Sequence, residues 1–409
     1  MTSPLQATQP AAESAARKLL AYCQANDWAG IDPYDALNSR IFQALPFLDS
    51  RIPRLVMTQA LKRSPFNIRS LMLIPPTQNS KAFGIFLKAS LKFAKLGWDG
   101  ADELVAYFIR KLSEMRAPGM NYSCWGYSFP WQTRTLIVPR GTPNLVCTTF
   151  VADALLDAYE QTGNASCLQM AASGVDYIRK ELLWSDGSEV GFAYPLPSMR
   201  QSIHNANLLG AALFCRVAKF TGDKSLIEPA LKVARFSAAK QRADGSWLYG
   251  EMPKQGWVDN FHTGYNLDGL RSMAQTLSTD EFDAVIRKGF EFYREHFFLE
   301  NGVARYFHDK TYPIDIHCVA QSIMSLLAFP EFDGARNEAM SSKVVEWTLD
   351  NMWGKDGYFY YRVQPWATIR TSYMRWSQAW MLLALATFLE AAAAKDVALA
   401  TRETLAARK

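Results

Sequence analysis

Six stretches of this 409-residue chain are apolar on nearly every side of a helix. They are "FGIFLKASLKFAKLG" from Phe83, "NLVCTTFVADALLDAYEQTG" from Asn144, "NANLLGAALFCRVAKFTG" from Asn205, "YNLDGLRSMAQTL" from Tyr265, "HCVAQSIMSLLAF" from His317 and "YMRWSQAWMLLALATFLE" from Tyr373. Their starts lie 61, 61, 60, 52 and 56 residues apart. A helix without a polar face must be buried on every side, so each of the six needs neighbours all round it. Amphipathic stretches run between them. In "STDEFDAVIRKGFEFYREHFF", Phe282, Val285, Ile286, Gly289, Phe290 and Tyr293 follow the spacing of one helix face, and Ser278 with Glu281 predicts a capping box ahead of it. The stretches "DELVAYFIRKLSEM", "ASCLQMAASGVDYIRKEL", "SLIEPALKVARFSAAKQ" and "SSKVVEWTLDNMW" are equivalent. The repeating unit is a buried inner helix followed by a half-buried outer one.

The joints differ by end. Inner helices pass to outer ones at Gly97, Gly163 and Gly222, where glycine takes the left-handed cap conformation. Outer helices return through longer stretches with turn residues and short extended runs: "WSDGSEVGFAYP", "RADGSWLYGE", "LENGVARYF" and "GKDGYFYYR". All long loops therefore gather on one face. The pattern predicts an all-α fold, an (α/α)6 toroid with short β-hairpins in the loops of that face; a superhelical solenoid of helix pairs has the same repeat. Closure is favoured because residues 373–391 are as apolar all round as the middle inner helices, whereas an open array ends on a polar cap. Residues 81–393 are assigned to the toroid, 1–80 to an N-terminal helix and a wrapping arm (27–80), and 394–409 to a C-terminal helix. Either 11–26 or 394–408 is expected to complete the outer ring.

Hydrophobic residues make up 49% of the chain and charged residues 20%, enough for a large core and too apolar for global disorder. The formal charge of +5 comes without a nucleic-acid motif or a dense basic tract, so no nucleic-acid partner is expected. The start, "MTSPLQATQPAAESAARKLL", lacks the basic head and apolar run of a secretory signal; a cytoplasmic location is the expectation. Cys23, Cys124, Cys147, Cys167, Cys215 and Cys318 form no CxxC pair, which predicts buried, reduced thiols. The longest apolar candidate, "WMLLALATFLEAAAA", holds Glu390 and falls short of the ~20 residues of a membrane span, so no span is expected. Association into homo-oligomers is left open.

Six inner helices with "QRADGSW" turns resemble the six-hairpin glycosidase-like and terpenoid-cyclase-like toroids over roughly residues 80–393. A narrower likeness is carried by "IPPTQNSKAFGIFLKA", "TPNLVCTTFVADALLDAYE", "YPIDIHCVAQSI" and "TSYMRWSQAW". It is to uncharacterised bacterial toroid proteins of surface-polysaccharide context, and it implies a saccharide substrate.

On the loop face, His204, His262 and His317 occupy equivalent places, the starts of three successive inner helices. A single histidine there commonly satisfies a nearby backbone group; three in register point to a shared cavity. The partial positive charge of a helix N-terminus disfavours imidazolium and leaves a neutral ring able to take a proton. Tyr265 follows His262 by one turn and faces the same space, so these two are assigned removal and return of a proton. His296 and His308 are given no role. The acids of this face are Glu251, Asp259, Asp268 and Asp315. Asp259 and Asp315 also stand where N-caps belong, and Asp268, one turn inside, requires a polar partner.

Arg134, Arg140, Arg200, Arg305, Arg362, Arg370 and Arg375 crowd the same loops, and about half are expected to be solvated or locally paired. Arg375 lies inside an apolar helix, where burial demands an anionic partner, protein or ligand; a carboxylated sugar supplies one by bidentate pairing. Trp131, Trp247, Trp257, Tyr312, Asn205, Asn266, Gln321, Arg200 and Arg305 are assigned with Arg375 to substrate binding, because sugar rings stack their C–H faces while their hydroxyls seek hydrogen bonds. HExxH and paired-cysteine spacings are absent, so neither a metal nor another cofactor is expected.

The leading expectation is a carbohydrate-active enzyme for a uronate-containing saccharide. His262 and Tyr265 would move the proton alpha to the carboxylate, assisted by His204 or His317, with β-elimination or carbon-5 epimerisation as the outcome. "DNFHTGYNLDGL" is similar to the helix start of glucuronyl carbon-5 epimerases. The second expectation is hydrolysis by paired Asp259 and Asp315, since "WVD" at an inner-helix start resembles the unsaturated glucuronyl hydrolases. A terpenoid-cyclase-like activity ranks third, with no DxDD or DDxxD in the chain. A non-catalytic sugar-binding protein is the reading from a different class.

Overall fold

The all-round apolar stretches form the inner ring in the computed structural model, which describes residues 3–133 and 135–406 and so leaves Arg134 outside the described residues. Inner helices one to six are Ser80–Lys95, Leu145–Thr162, His204–Thr221, Asn260–Leu277, Ile316–Ala328 and, after a π turn at Met374–Ala379, Trp380–Ala406. The outer ring is Ala101–Glu114, Ala165–Tyr177, Ile227–Ala238, Asp283–His296, Gly334–Met352 and Pro4–Ala25. The sixth inner helix packs on both the fifth and the first. The ring is therefore closed, and the fold is an (α/α)6 toroid rather than a solenoid.

The N-terminal helix is the sixth outer member. Its buried face, Leu5, Ala12, Ala15, Ala16, Leu19 and Cys23, lies against the sixth inner helix and the Gly334–Met352 helix. Residues 394–406, expected as a separate helix, prolong the sixth inner helix instead, because no Gly or Pro interrupts its Ala-rich sequence. Met374–Val397 is long and apolar enough to cross a membrane, yet 72% of its most apolar window is buried inside the protein. All six cysteines are buried and unpaired.

Short turns between inner and outer helices use positive φ at Gly97, Gly163 and Gly222 (71°, 71° and 77°). The expected capping box at Ser278 does not form. Ser278 itself turns left-handed, with φ 52°, to end the fourth inner helix, and the outer helix starts only at Asp283. The return loops carry the hairpin Leu183–Asp186 with Glu189–Phe192, and a three-stranded sheet in which Arg362–Val363 lies between Ile314–Asp315 and Thr368–Ile369. That register sets Asp315 opposite Arg362.

The arm crosses the loop face. Ile31 bridges to Tyr373, and two buried ion pairs fasten the segment: Arg375 donates from Nε and Nη2 to the two oxygens of Asp32 (2.6 and 2.8 Å), and Arg69 Nε donates to Asp35 (2.8 Å). Arg375 thus finds its anion in the protein, 343 residues away in sequence. Replacing Asp32 by Ala strands a buried guanidinium, and chemical denaturation is expected to show a loss of about 3–5 kcal/mol. An unchanged midpoint would mean that the arm is not held by this pair.

Candidate active site

The site is built at the N-terminal ends of the inner helices. Asn79, Asn144, Asp259 and Asp315 cap four of them through side-chain oxygens. Lys81, His262 and His317 stand just inside three of those caps, and His204 and Arg375 at the starts of the third and sixth inner helices, which have no side-chain cap.

Asp259 does more than cap. One oxygen accepts the backbone N–H of His262 (3.0 Å); the other accepts His262 Nδ1–H (2.7 Å) and the Trp257 indole N–H (2.8 Å). The carboxylate is buried, while a fifth of the His262 side chain stays exposed. The imidazole is therefore held in one tautomer, with Nε2 free to accept a proton. Trp257 stacks on Tyr249 with centroids 4.5 Å apart, and Tyr249 in turn contacts the His262 ring at 4.6 Å.

Tyr265 does not bond His262, whose ring centre is 6.2 Å away. Its hydroxyl lies 2.6 Å from His317 Nε2, and both residues are buried. Burial first, then the charges of Lys81 and Arg375, hold the His317 pKa well below the ordinary histidine value, and burial drives that of Tyr265 well above the ordinary phenol value. Both groups are neutral at physiological pH, and a neutral phenol–imidazole pair can pass a proton in either direction. His204 is also held below its usual pKa by burial, against the pull of Glu251, to which its Nε2–H donates at 2.8 Å.

Lys81 was not among the sequence candidates. Its ammonium lies 4.1 Å from the Phe150 ring centre, 5.5 Å from Trp380 and 6.0 Å from Tyr265, with no carboxylate paired to it among the described residues. Burial and Arg375 lower its pKa to about 7. Its position, second in its inner helix, is that of His317, so the register that picks out the histidines also picks out Lys81.

The exposed part of His262 lies against Tyr249 among partly exposed tyrosines of the loop face, and this solvent-reached spot is termed the recess. Tyr127, Tyr194, Tyr249 and Tyr306 are only half-buried, yet desolvation raises each of their phenol pKa values strongly. Tyr34 of the arm lies among these rings, 5.7 Å from Trp376, and accepts a hydrogen bond from Lys62 (2.6 Å). Buried polar atoms without partners gather at this end: His204 Nδ1, Asn205 Oδ1, Asn266 Oδ1, His317 Nδ1 and Trp131 Nε1.

Other assigned residues fall elsewhere. Asp315 is buried and holds Arg362 (3.0 and 2.5 Å), Trp376 Nε1 (2.9 Å) and the His317 N–H (3.0 Å). No lobe of that carboxylate is open to a substrate. Arg375 is closed off by Asp32. Trp247 is buried against Gly289 and donates to the Ser237 carbonyl, Arg305 donates to the His296 carbonyl, and Arg200 and Tyr312 are exposed. Trp247 and Arg305 are thus engaged with the outer-helix segments at Ser237 and His296.

Gln321 faces the opposite end of the axis. There a cavity of about 590 Å³ opens between the C-terminal halves of all six inner helices. Gln321 donates to Asp268 (2.7 Å), whose carboxyl burial raises to about 6. Its charged rim is internally paired: Lys88 binds Asp153 and Asp157, and Arg216 binds Asp153, Asp157 and Glu160. The layer of Phe150, Tyr265 and Trp380 forms its floor. The histidines and the oriented His262–Asp259 pair stand at the other end of the axis.

No protein-family model and no curated protein matches the chain. Solved structures do. Cellobiose 2-epimerase from Spirochaeta thermophila superposes with a TM-score of 0.58 at 14% identity, over 78% of this chain and 86% of its own. The GH76 α-mannanase of Bacteroides thetaiotaomicron gives 0.55 at 15% identity, over 78% and 86%. An unsaturated glucuronyl hydrolase specific for heparin gives 0.54 at 12%, over 77% and 86%. At these identities the likeness establishes architecture, and the architecture is the one built above from the repeat: the chain is an (α/α)6 toroid.

Proposed function

We propose that the protein is a carbohydrate-active enzyme that abstracts and returns a proton alpha to the carboxylate of a uronate-containing saccharide. The observation that carries this reading is the His262–Asp259 pair, with Nδ1 held at 2.7 Å and Nε2 left free beside the recess. A base oriented by a buried carboxylate is the arrangement that general-base catalysis needs. The Tyr265–His317 pair lies next to it and supplies or receives the second proton. Lys81 stands where Arg375 was expected to act: it is a buried cation of this end with no carboxylate paired to it among the described residues, and a substrate carboxylate would complete it. Recess aromatics suit stacking against a sugar ring, and the solved toroids that superpose are enzymes of saccharides by their printed names.

Loss of the proton yields either outcome. If a leaving group departs from the adjacent carbon, the product is an unsaturated uronate; if a proton returns from the opposite face, it is the carbon-5 epimer. Hydrolysis by Asp259 and Asp315 has less support, because Asp315 is engaged on every side.

Glucuronate-containing oligosaccharides incubated in deuterium oxide test the reading, with ultraviolet absorbance reporting elimination and deuterium at carbon 5 reporting epimerisation. His262→Ala and Tyr265→Phe should each lower turnover by about 10²–10⁴-fold. Undiminished turnover in both variants would overturn the assignment.

Lys81 gives a second check through pH. Its folded-state pKa of about 7 lies below the ordinary 10.5, so the buried ammonium costs stability in full below pH 7 and not at all above 10.5. Lys81→Met should therefore raise the thermal midpoint most at pH 7 and below, with the gain fading toward pH 10.5, while activity on uronates falls. A variant less stable than the parent at neutral pH would reveal a protein anion already paired with Lys81.

A further inference from the structure

Large apolar side chains are exposed mainly in one part of this protein. Phe47, Ile52, Val56, Phe66, Leu71 and Leu73, all in the arm, are between 54% and 76% exposed. Ile41 and Ile68 add to them, and the Trp131–Val138 hairpin, joined to the arm by the bond from Arg54 to Gln132, adds Leu136 and Ile137. A soluble monomer rarely leaves such a concentration uncovered.

The charge is equally concentrated. Residues 40–76 hold Arg40, Arg51, Arg54, Lys62, Arg63 and Arg69 against one acid, Asp49, and from residue 50 to 98 there is no Asp or Glu at all. That segment's net charge of +5 equals the charge of the whole chain, so the remainder of the protein is formally neutral. Arg54 pairs with Asp49 and Arg69 with Asp35, which leaves Arg40, Arg51 and Arg63 exposed without a salt bridge among the described residues. The helix Arg51–Arg63 buries only Thr58 and Leu61.

We propose that the arm is a membrane-docking surface that lays Phe47, Ile52, Val56, Phe66, Leu71 and Leu73 into the interface of an anionic phospholipid bilayer while its arginines meet the headgroups. Apolar groups interspersed with basic ones, and almost no acids, are the features such interfaces select. An apolar partner protein would require the same hydrophobes but not the excess of positive charge. A second copy of this chain would set the exposed Arg40, Arg51 and Arg63 against their own counterparts, which charge repulsion opposes. Lys62 of this same helix bonds Tyr34 at the recess, so docking sets the mouth of the recess beside the membrane surface, where a lipid-linked or membrane-proximal saccharide would be reached.

Vesicle sedimentation of the full chain tests the surface independently of any enzymatic activity. The protein should sediment with phosphatidylcholine vesicles containing phosphatidylglycerol, should not with phosphatidylcholine alone, and should be released as salt rises. The double variants Phe66→Ser/Leu71→Ser and Arg51→Glu/Arg63→Glu should each weaken sedimentation at least about tenfold without lowering the thermal midpoint, since both sets of side chains are exposed. Failure to sediment with phosphatidylglycerol vesicles overturns the proposal. So does a dimer in solution that Phe66→Ser/Leu71→Ser converts to a monomer, which would make the patch an interface between copies.

Discussion

Six inner-helix N-termini converge at one end of the axis, and most of what the protein does at that end follows from it. Each terminus presents backbone N–H groups without intrahelical partners and the positive end of a helix dipole. Both must be met from outside the helix, so acceptors and carboxylates are drawn to the place where the long loops return. The opposite ends present carbonyls instead, which draw no acidic caps, and three of them close at the turns of Gly97, Gly163 and Gly222. Polarity, caps and candidate catalytic groups therefore share one face of the toroid because the helices all point their N-termini at it.

Capping and chemistry are not competing explanations of the "WVDNFHTGY" segment. Asp259 uses one oxygen for the cap and the other to orient His262. Asp315 begins the next inner helix in the same way, but its second oxygen goes to Arg362, which the strand register sets directly opposite, while the capping oxygen also accepts Trp376 Nε1–H. At the third inner helix the residue before His204 is Ile203, which cannot cap, and His204 turns instead to Glu251 from the following loop. Three equivalent histidines thus acquire three different surroundings, and only His262 combines an orienting acid with exposure to the recess.

Some of this was legible in the residues and some was not. The repeat and its two kinds of joint are local patterns, and they suffice for the toroid, for the face that carries the long loops and for the three histidines in register. The same register contains Lys81, overlooked because a lysine near the start of an apolar helix reads as a snorkelling surface residue. Arg375 shows the other limit: its burial told that an anion was needed, yet nothing nearby in sequence distinguished a substrate from Asp32. Trp247 and Trp257 sit in similar aromatic loops ten residues apart, and only packing separates the one buried on an outer helix from the one stacked above the site. The chain's modest total charge likewise concealed that one segment of the arm holds all of it.

The sequence by itself determined the repeat of six inner helices with outer partners, because burial on all sides is a property of each helix's own residue pattern, while the packing of the sixth inner helix on the first is what closes the ring. It also determined which end is polar, since caps and turn residues act over three or four positions. Tertiary structure alone decided the partners: Tyr265 with His317 rather than His262, Arg375 with Asp32, Asp315 with Arg362, and Lys81 with aromatic faces and, among the described residues, no carboxylate. Those choices depend on which groups meet across the axis after the ring closes, at separations of tens to hundreds of residues where no local periodicity reaches.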